Sequence, residues 1–131
     1  MDRLFLDANV LFSAAYRPGA GLLELWNRTV SLCSSRYALA EATTNLEAQV
    51  QRERLHHLAK DLSFFEAPTD RVLPPTVILP KKDIPILLAA IAGRASHLLT
   101  GDIRDFGHYF GKRIEGVRIM LPGDYLRKVR S

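Results

Sequence analysis

Short apolar runs alternate with longer stretches of mixed polarity along the whole sequence. The runs have no polar face, which is typical of strands buried in the middle of a parallel sheet. The segments that predict five strands are residues 4–6, 30–34, 76–79, 97–100 and 116–121. The third of these is short, because prolines surround it.

The stretches between the runs have the spacing of amphipathic helices. The clearest begins at Asp83, and its buried stripe follows the i, i+3, i+4, i+7 pattern through Ile84, Leu87, Leu88 and Ile91. The predicted helices cover residues 10–16, 22–28, 37–54, 55–65, 83–92, 102–111 and 122–129. Strands that alternate with helices predict a three-layer α/β/α fold around a five-stranded parallel sheet. The length suits a single domain, residues 1–131.

Five acidic residues follow the predicted strands. They are Asp7 after the first strand, Glu41 early in the helix after the second, Asp83 after the third, and Asp102 and Asp105 after the fourth. Right-handed crossovers bring the carboxyl ends of parallel strands to one edge of the sheet, so these carboxylates should converge and repel one another. Hard divalent cations such as Mg²⁺ and Mn²⁺ prefer oxygen ligands and relieve that repulsion. The pattern therefore predicts a metal site.

Each acid, taken alone, also has a purely structural interpretation. Asp83 and Asp102 suit the N-cap position of a helix, and Asp105 would complete a cap in the first turn. Glu41 suits the positive end of a helix dipole. Asp7 is the hardest to explain in this way, because a cap rarely requires an acid straight after a buried strand. The two interpretations are compatible, since a capping aspartate can also bind a metal.

The composition favours a polyanionic ligand. The formal net charge is +4, from 18 Lys and Arg against 14 acids, and the isoelectric point is near 9.5. If five of the acids share one pocket, nine remain elsewhere, and the rest of the molecule carries +9. A basic body around an acidic pocket suits a nucleic acid held by its phosphates. A solvated basic surface without a ligand fits the charge as well.

The remaining composition bears on location. Cys33 is the single cysteine, which excludes an internal disulfide and is compatible with the cytosol. The apolar runs are too short to cross a membrane, and the first residues lack the pattern of a signal peptide. We therefore expect a cytoplasmic protein with no membrane partner.

Four stretches together form a longer pattern. They are residues 6–11 (Leu-Asp-Ala-Asn-Val-Leu), Glu41, residues 83–87 (Asp-Ile-Pro-Ile-Leu) and residues 99–106 (Leu-Thr-Gly-Asp-Ile-Arg-Asp-Phe). In this order and spacing the chain resembles, over essentially its whole length, the PIN domain nucleases, which include the ribonuclease toxins of toxin–antitoxin pairs. The resemblance implies strand order 3-2-1-4-5, Mg²⁺ or Mn²⁺ as cofactor, and cleavage of single-stranded RNA. It also implies a small antitoxin protein as partner and assembly into a homodimer.

The same resemblance implies roles for individual side chains. The catalytic acids would be Asp7, Glu41, Asp83 and Asp102, which with the auxiliary Asp105 would bind the metal. Asn9 and Thr100 match the polar positions that orient the first and fourth acids. Basic residues beside the predicted pocket are candidate phosphate contacts, although solvated loop charge explains them equally well; they are Arg17, Lys81, Lys82 and Arg104.

This set of residues predicts a metal-dependent endoribonuclease, because a carboxylate-bound cation lowers the pKa of a bound water for attack on a phosphodiester. Three alternatives stay open. A haloacid-dehalogenase-type phosphatase needs a second acid where Asn9 stands. A receiver-type phosphorylation switch needs paired acids after the first strand and an aspartate directly after the third. A catalytically silent PIN-like module would bind RNA or protein without cleavage.

Overall fold

The strands form one sheet with the first strand near its centre. The computed structural model describes residues 1–130, and the side chains of residues 1–128. The strands of this part of the chain are Arg3–Leu6 (β1), Ser31–Ser34 (β2), Ser63–Phe64 (β3), His97–Leu99 (β4), Arg113–Ile114 (β5) and Val117–Met120 (β6). Their order is β3-β2-β1-β4-β6-β5, and every pair is parallel except β5 with β6.

Helices connect the parallel strands. They are Ala8–Tyr16 (α1), Arg36–Asn45 (α2), Gln49–Ala59 (α3), Ile84–Ala92 (α4), Ile103–Phe106 (α5) and Pro122–Arg130 (α6), with 3-10 segments at Gly21–Asn27 and Gly107–Tyr109. Within residues 1–130, no helix has the length and apolar character that a membrane crossing requires. The predicted α/β architecture with a mainly parallel central sheet is confirmed.

β1 explains why the first apolar run has no polar face. Residues 4–6 are fully buried, and β1 is paired on both sides, with β2 and with β4. The amide of Asp7 continues the second ladder by donating to the carbonyl of Leu99 over 3.1 Å. The carboxyl ends of β1 and β4 are therefore fixed side by side, and the residues that follow them share one edge of the sheet.

The third strand lies earlier in the chain than the sequence predicts. It is Ser63–Phe64, which extends the sheet beyond β2, whereas residues 76–79 are irregular. The helix predicted over residues 55–65 is too long, because α3 ends at Ala59 and Ser63–Phe64 belongs to the sheet. Prolines have no amide hydrogen for a sheet hydrogen bond, so the proline-rich segment 74–80 stays outside the sheet.

The sheet also has a strand that the apolar pattern does not predict. β5 pairs with β6 through a tight hairpin whose turn residues, Glu115 and Gly116, have positive φ angles of 50° and 87°. The predicted order 3-2-1-4-5 holds for β3, β2, β1, β4 and β6, and the short antiparallel β5 extends the edge beyond them. The prediction of five parallel strands was therefore one strand short.

Two of the predicted helices are interrupted. The helix predicted over residues 37–54 divides into α2 and α3, because the chain turns at Leu46 and buries that side chain completely. The helix predicted over residues 102–111 stops at Phe106, which is also fully buried, and a 3-10 turn follows. In both places the chain leaves the helix so that an apolar side chain enters the core, which a continuous helix would not allow.

Residues 65–83 connect β3 to α4 without regular structure, and side chains from elsewhere hold them in place. The hydroxyl of Tyr109 accepts from the amide of Ile78 (2.8 Å) and donates to the carbonyl of the same residue (3.2 Å). The hydroxyl of Tyr37, in α2, donates to the carbonyl of Lys82 (2.9 Å). These contacts bring Asp83 to the sheet edge although no strand leads directly to it.

We predict that Tyr109→Phe loosens this connection. Loss of both hydrogen bonds should lower the free energy of unfolding by about 0.5–1.5 kcal/mol and speed hydrogen exchange at the amide of Ile78. Chemical denaturation and hydrogen exchange by NMR measure the two effects. Tyr16→Phe, which removes an exposed hydroxyl from α1, is the control. An unchanged exchange rate at Ile78 in Tyr109→Phe would contradict the prediction.

Candidate metal centre

Asp7 lies buried between β1 and α1 with both carboxylate oxygens hydrogen-bonded. Its Oδ1 accepts from the amide of Ala8 (2.7 Å), and its Oδ2 accepts from the hydroxyl of Thr100 (2.8 Å) and from the amide nitrogen of Asn9 (3.2 Å). Burial raises the pKa of Asp7, the hydrogen bonds from Thr100 and Ala8 lower it, and the charge of Glu41 raises it further. The side chain is thus held in one orientation by three donors.

Asn9 and Thr100 connect the two loops that follow β1 and β4. Thr100 is fully buried, and its hydroxyl accepts from the amide of Asp102 (3.1 Å) while donating to Asp7. The side-chain oxygen of Asn9 accepts from the amide of Gly101 (2.7 Å). These bonds fix the position of Asp102 relative to Asp7, so the two polar residues orient the first and fourth acids of the predicted set.

One oxygen of the buried Asp83 carboxyl group, Oδ2, has no hydrogen-bond partner among the described residues. The residue is only 6% exposed. Asp83 occupies the N-cap position of α4, as the sequence suggested, but its side chain makes no capping hydrogen bond. Burial raises the pKa of Asp83 to about 7, and the adjacent Asp105 adds to this rise through a hydrogen bond that requires a proton on Asp83.

Asp102 and Asp105 lie next to Asp83 in a compact group. The Oδ1 of Asp102 accepts from the amide of Asp105 (3.0 Å), so Asp102 does cap the short helix α5. Asp105 forms an ion pair with Lys82 (3.6 Å), and its pKa is lowered by the hydrogen bond with Asp83 and by that ammonium group. One carboxylate oxygen from each of the three aspartates lies within 4.8 Å of the others. We call these three residues the aspartate cluster.

A cavity of about 460 Å³ opens in front of these residues, and we call it the acid cavity. Four of the five predicted acids line it, namely Asp7, Glu41, Asp83 and Asp102. Glu41 is exposed and lies in the second turn of α2. Asp7 and Glu41 do not belong to the 4.8 Å group, and Asp105 belongs to it without lining the cavity. The acids therefore lie at one place in two groups: the aspartate cluster, and Asp7 with Glu41 at the cavity wall.

The donor set fits a hard divalent cation. All candidate ligand atoms are carboxylate oxygens, which Mg²⁺ and Mn²⁺ prefer, and no cysteine or histidine lines the acid cavity among the described residues. The unpartnered Oδ2 of Asp83 is a buried acceptor in need of a positive partner. Burial raises the pKa of Asp83 and the adjacent Asp105 adds to the rise, so the ionised carboxylate carries a penalty that a cation would offset.

The four basic candidates divide between different surfaces. Lys82 lines the acid cavity. Arg17 lines a neighbouring cavity instead. Arg104 and Lys81 are exposed and line neither cavity, although the charge of Arg104 contributes to the lowered pKa of Asp105.

Tyr37 is a residue whose importance to the site the sequence analysis does not identify. Its hydroxyl holds the carbonyl of Lys82, the residue before Asp83, and so ties the loop that carries Asp83 to α2. Burial, followed by the charges of Glu41 and Asp83, raises the pKa of Tyr37 and keeps the phenol protonated as a donor. The sequence feature that could have identified Tyr37 is its spacing from Glu41: it lies four residues earlier and therefore on the same face of the helix.

We predict that Asp83→Asn stabilises the metal-free protein and removes part of its pH dependence. The folded-state pKa of Asp83, about 7, lies above the ordinary 3.8, so the folded protein holds a proton that the unfolded chain releases. The stabilisation that protonated Asp83 contributes to folding is fully present below about pH 4 and is lost as the pH rises through 7. The pKa of Asp105 is lowered, so this residue changes the stability only at pH values below the ordinary aspartate pKa of 3.8, which lies outside the pH range considered for Asp83.

Urea denaturation in EDTA between pH 5 and 8 measures this effect. The variant should gain about 1–3 kcal/mol over the parent at pH 8, because an amide replaces an unpaired buried charge, and the gain should shrink towards pH 5. Asp61→Asn, an exposed aspartate beyond α3, is the matched control. An equal or lower stability of Asp83→Asn at pH 8 would show that the Asp83 carboxylate is not destabilising.

Comparison with known proteins supports the architecture. No protein-family model matches the chain, and a search of curated proteins finds no match. Among solved structures, one chain of the crystal structure of VapBC2 from Rickettsia felis, bound to a DNA fragment from their promoter, matches with a TM-score of 0.64 and 18% sequence identity. The match covers 91% of this chain and 98% of that chain. At this identity the two chains share a fold, and the PIN-like fold expected from the sequence is confirmed.

Proposed function

We propose that the protein is a metal-dependent endoribonuclease that hydrolyses phosphodiester bonds in single-stranded or looped RNA. The observation that carries the proposal is the buried, unpartnered Oδ2 of Asp83 in a cluster with Asp102 and Asp105. A structural aspartate would have a donor, whereas a metal ligand needs a free lone pair. The cavity in front of the cluster gives a substrate phosphate access to it.

The proposed ligands are the five predicted acids. Asp83 and Asp102 have oxygens in both the aspartate cluster and the acid cavity, Asp7 and Glu41 complete the cavity wall, and Asp105 is auxiliary. Mg²⁺ or Mn²⁺ held there would lower the pKa of a bound water and so supply the nucleophile for hydrolysis. Asp7, Glu41, Asp83 and Asp102 are the proposed catalytic residues.

Other side chains orient the acids or provide positive charge for the substrate phosphate. Asn9 and Thr100 hold Asp7 and the loop of Asp102 in place, which keeps the acids oriented before the substrate binds. Lys82 lies at the cavity wall with its ammonium group near Asp105, where it can contact a phosphate oxygen and offset the charge that develops during attack. Arg104 is exposed next to Asp105 and is a further candidate for such a contact.

The charge distribution supports RNA as the substrate. Outside the five acids the chain carries +9, which attracts phosphates and predicts binding that weakens steeply with salt. The acid cavity lies at an edge of the sheet, among loops that include the long connection 65–83. Reading of RNA bases generally requires unpaired strands. We therefore propose single-stranded or looped RNA.

We further propose that the protein is the toxin of a toxin–antitoxin pair. The structure with the same fold contains VapBC2 bound to promoter DNA, so that relative was crystallised as an assembly. By analogy we infer a small antitoxin protein as partner, a homodimer as the functional unit, and a cytoplasmic location. This part of the proposal rests on the shared fold and on the motifs of the sequence.

A cleavage assay tests the nuclease proposal. Single-stranded RNA, hairpin RNA, duplex DNA and a small phosphomonoester are each incubated with protein and Mn²⁺ or Mg²⁺, with and without EDTA. We expect cleavage of the first two, loss of cleavage in EDTA, and a rate at least about 100-fold lower for Asp83→Asn, because metal-assisted stabilisation contributes several kcal/mol.

The matched control in this assay is again Asp61→Asn, which removes one negative charge far from the aspartate cluster and should cleave at the parental rate. Parental activity in Asp83→Asn would contradict the proposed role of Asp83. Hydrolysis of the phosphomonoester alone would identify a phosphatase. Salt-sensitive RNA binding without cleavage under either metal would identify a binding module.

A further inference from the structure

A second cavity, of about 560 Å³, adjoins the acid cavity, and we call it the side cavity. It lies between the end of α1, the 3-10 segment Gly21–Asn27 and the start of α6. Ser13 and Leu22 line both cavities, so the two cavities lie side by side. The volume falls within the range of about 300–1,000 Å³ that is usual for small-molecule pockets. A ligand at the acids can therefore extend into the side cavity.

The wall of the side cavity on α1 is aromatic. Phe12 and Tyr16 lie one helical turn apart, with ring centroids separated by 5.4 Å and ring planes inclined by 33°. Tyr16 is 53% exposed, so a large part of the residue's surface is open to solvent. A planar ligand can stack on this ring without displacing a side chain from the core.

The mouth of the side cavity adds a positive group. Arg17 follows Tyr16 directly and is exposed. The carboxylate of Glu24 also lines the cavity, but the guanidinium of Arg28 pairs with it at 3.1 Å and offsets its charge. The side cavity thus combines a stacking surface with a cation, which is the combination that unpaired nucleotides require.

We propose that the side cavity binds one nucleobase of a single-stranded RNA whose adjacent phosphate lies in the acid cavity. The inference rests on the proposed function and adds a substrate-binding subsite to it. Tyr16 stacks on the base, and Arg17 contacts a backbone phosphate. Because stacking accepts every base, the subsite selects unpaired strands rather than one sequence. A base inside a duplex is already stacked on its neighbours and cannot enter the cavity.

Fluorescence of 2-aminopurine tests the subsite separately from cleavage. RNA oligonucleotides with 2-aminopurine at one position each are titrated with protein in EDTA, so that binding is measured without hydrolysis. We expect quenching by the parent and by Tyr16→Phe, which retains the ring, and little quenching by Tyr16→Ala. The affinity of Tyr16→Ala should fall by roughly tenfold to a hundredfold, the usual effect of losing one stacked base.

Two further variants separate charge from stacking. Arg17→Ala should weaken binding and reduce its salt dependence while leaving the quenching of bound RNA in place. Arg52→Ala, which removes an exposed arginine of α3 that lines neither the acid cavity nor the side cavity, is the charge-matched control and should bind like the parent. Melting temperatures confirm that each variant is folded.

The outcomes distinguish this inference from the nuclease proposal. Parental cleavage together with equal quenching by the parent and Tyr16→Ala would overturn the subsite and leave the nuclease standing. Quenching that depends on the Tyr16 ring, without cleavage under any metal, would support the subsite and overturn the nuclease. Absence of both RNA binding and cleavage in the parent would overturn both.

Discussion

The burial of Asp83 beside two further carboxylates is the constraint on which the rest of the structure depends. A buried charge without a donor is strongly unfavourable, and like charges nearby increase the penalty. In the metal-free protein the carboxyl responds by keeping its proton, as its pKa of about 7 indicates. A cation bound at the cluster would take the place of that proton, which is the basis for the metal site that we propose.

A rigid framework is needed to hold mutually repelling groups together. The fully buried β1 and its neighbour β4 provide it, because their ends are joined by backbone hydrogen bonds and by the side chains of Asn9 and Thr100. Asp83 is held differently, by an irregular connection that Tyr37 and Tyr109 attach to the body of the protein. The acids following β1 and β4 are thus fixed by the sheet, and Asp83 is fixed by side chains.

This difference explains how far the sequence could predict the molecule. The elements with strong apolar patterns, β1, β4 and α4, were predicted correctly, and with them the neighbourhood of Asp7 and Asp102. Asp83 was placed at the sheet edge for an incorrect reason, because no strand directly precedes it; it occupies the predicted N-cap position of α4 without a side-chain capping bond. The two-residue strands β3 and β5 are too short to leave a period in the sequence. The tyrosine contacts across the fold depend on tertiary structure that local patterns do not record.

The most direct test of the central claim is anomalous diffraction from crystals of the protein grown with Mn²⁺. The account predicts a strong anomalous peak within coordination distance of the carboxylate oxygens of Asp83 and Asp102, with Oδ2 of Asp83 as a ligand. The absence of an anomalous peak at the aspartate cluster at saturating Mn²⁺ would contradict it. A peak that avoids the aspartate cluster would contradict it equally.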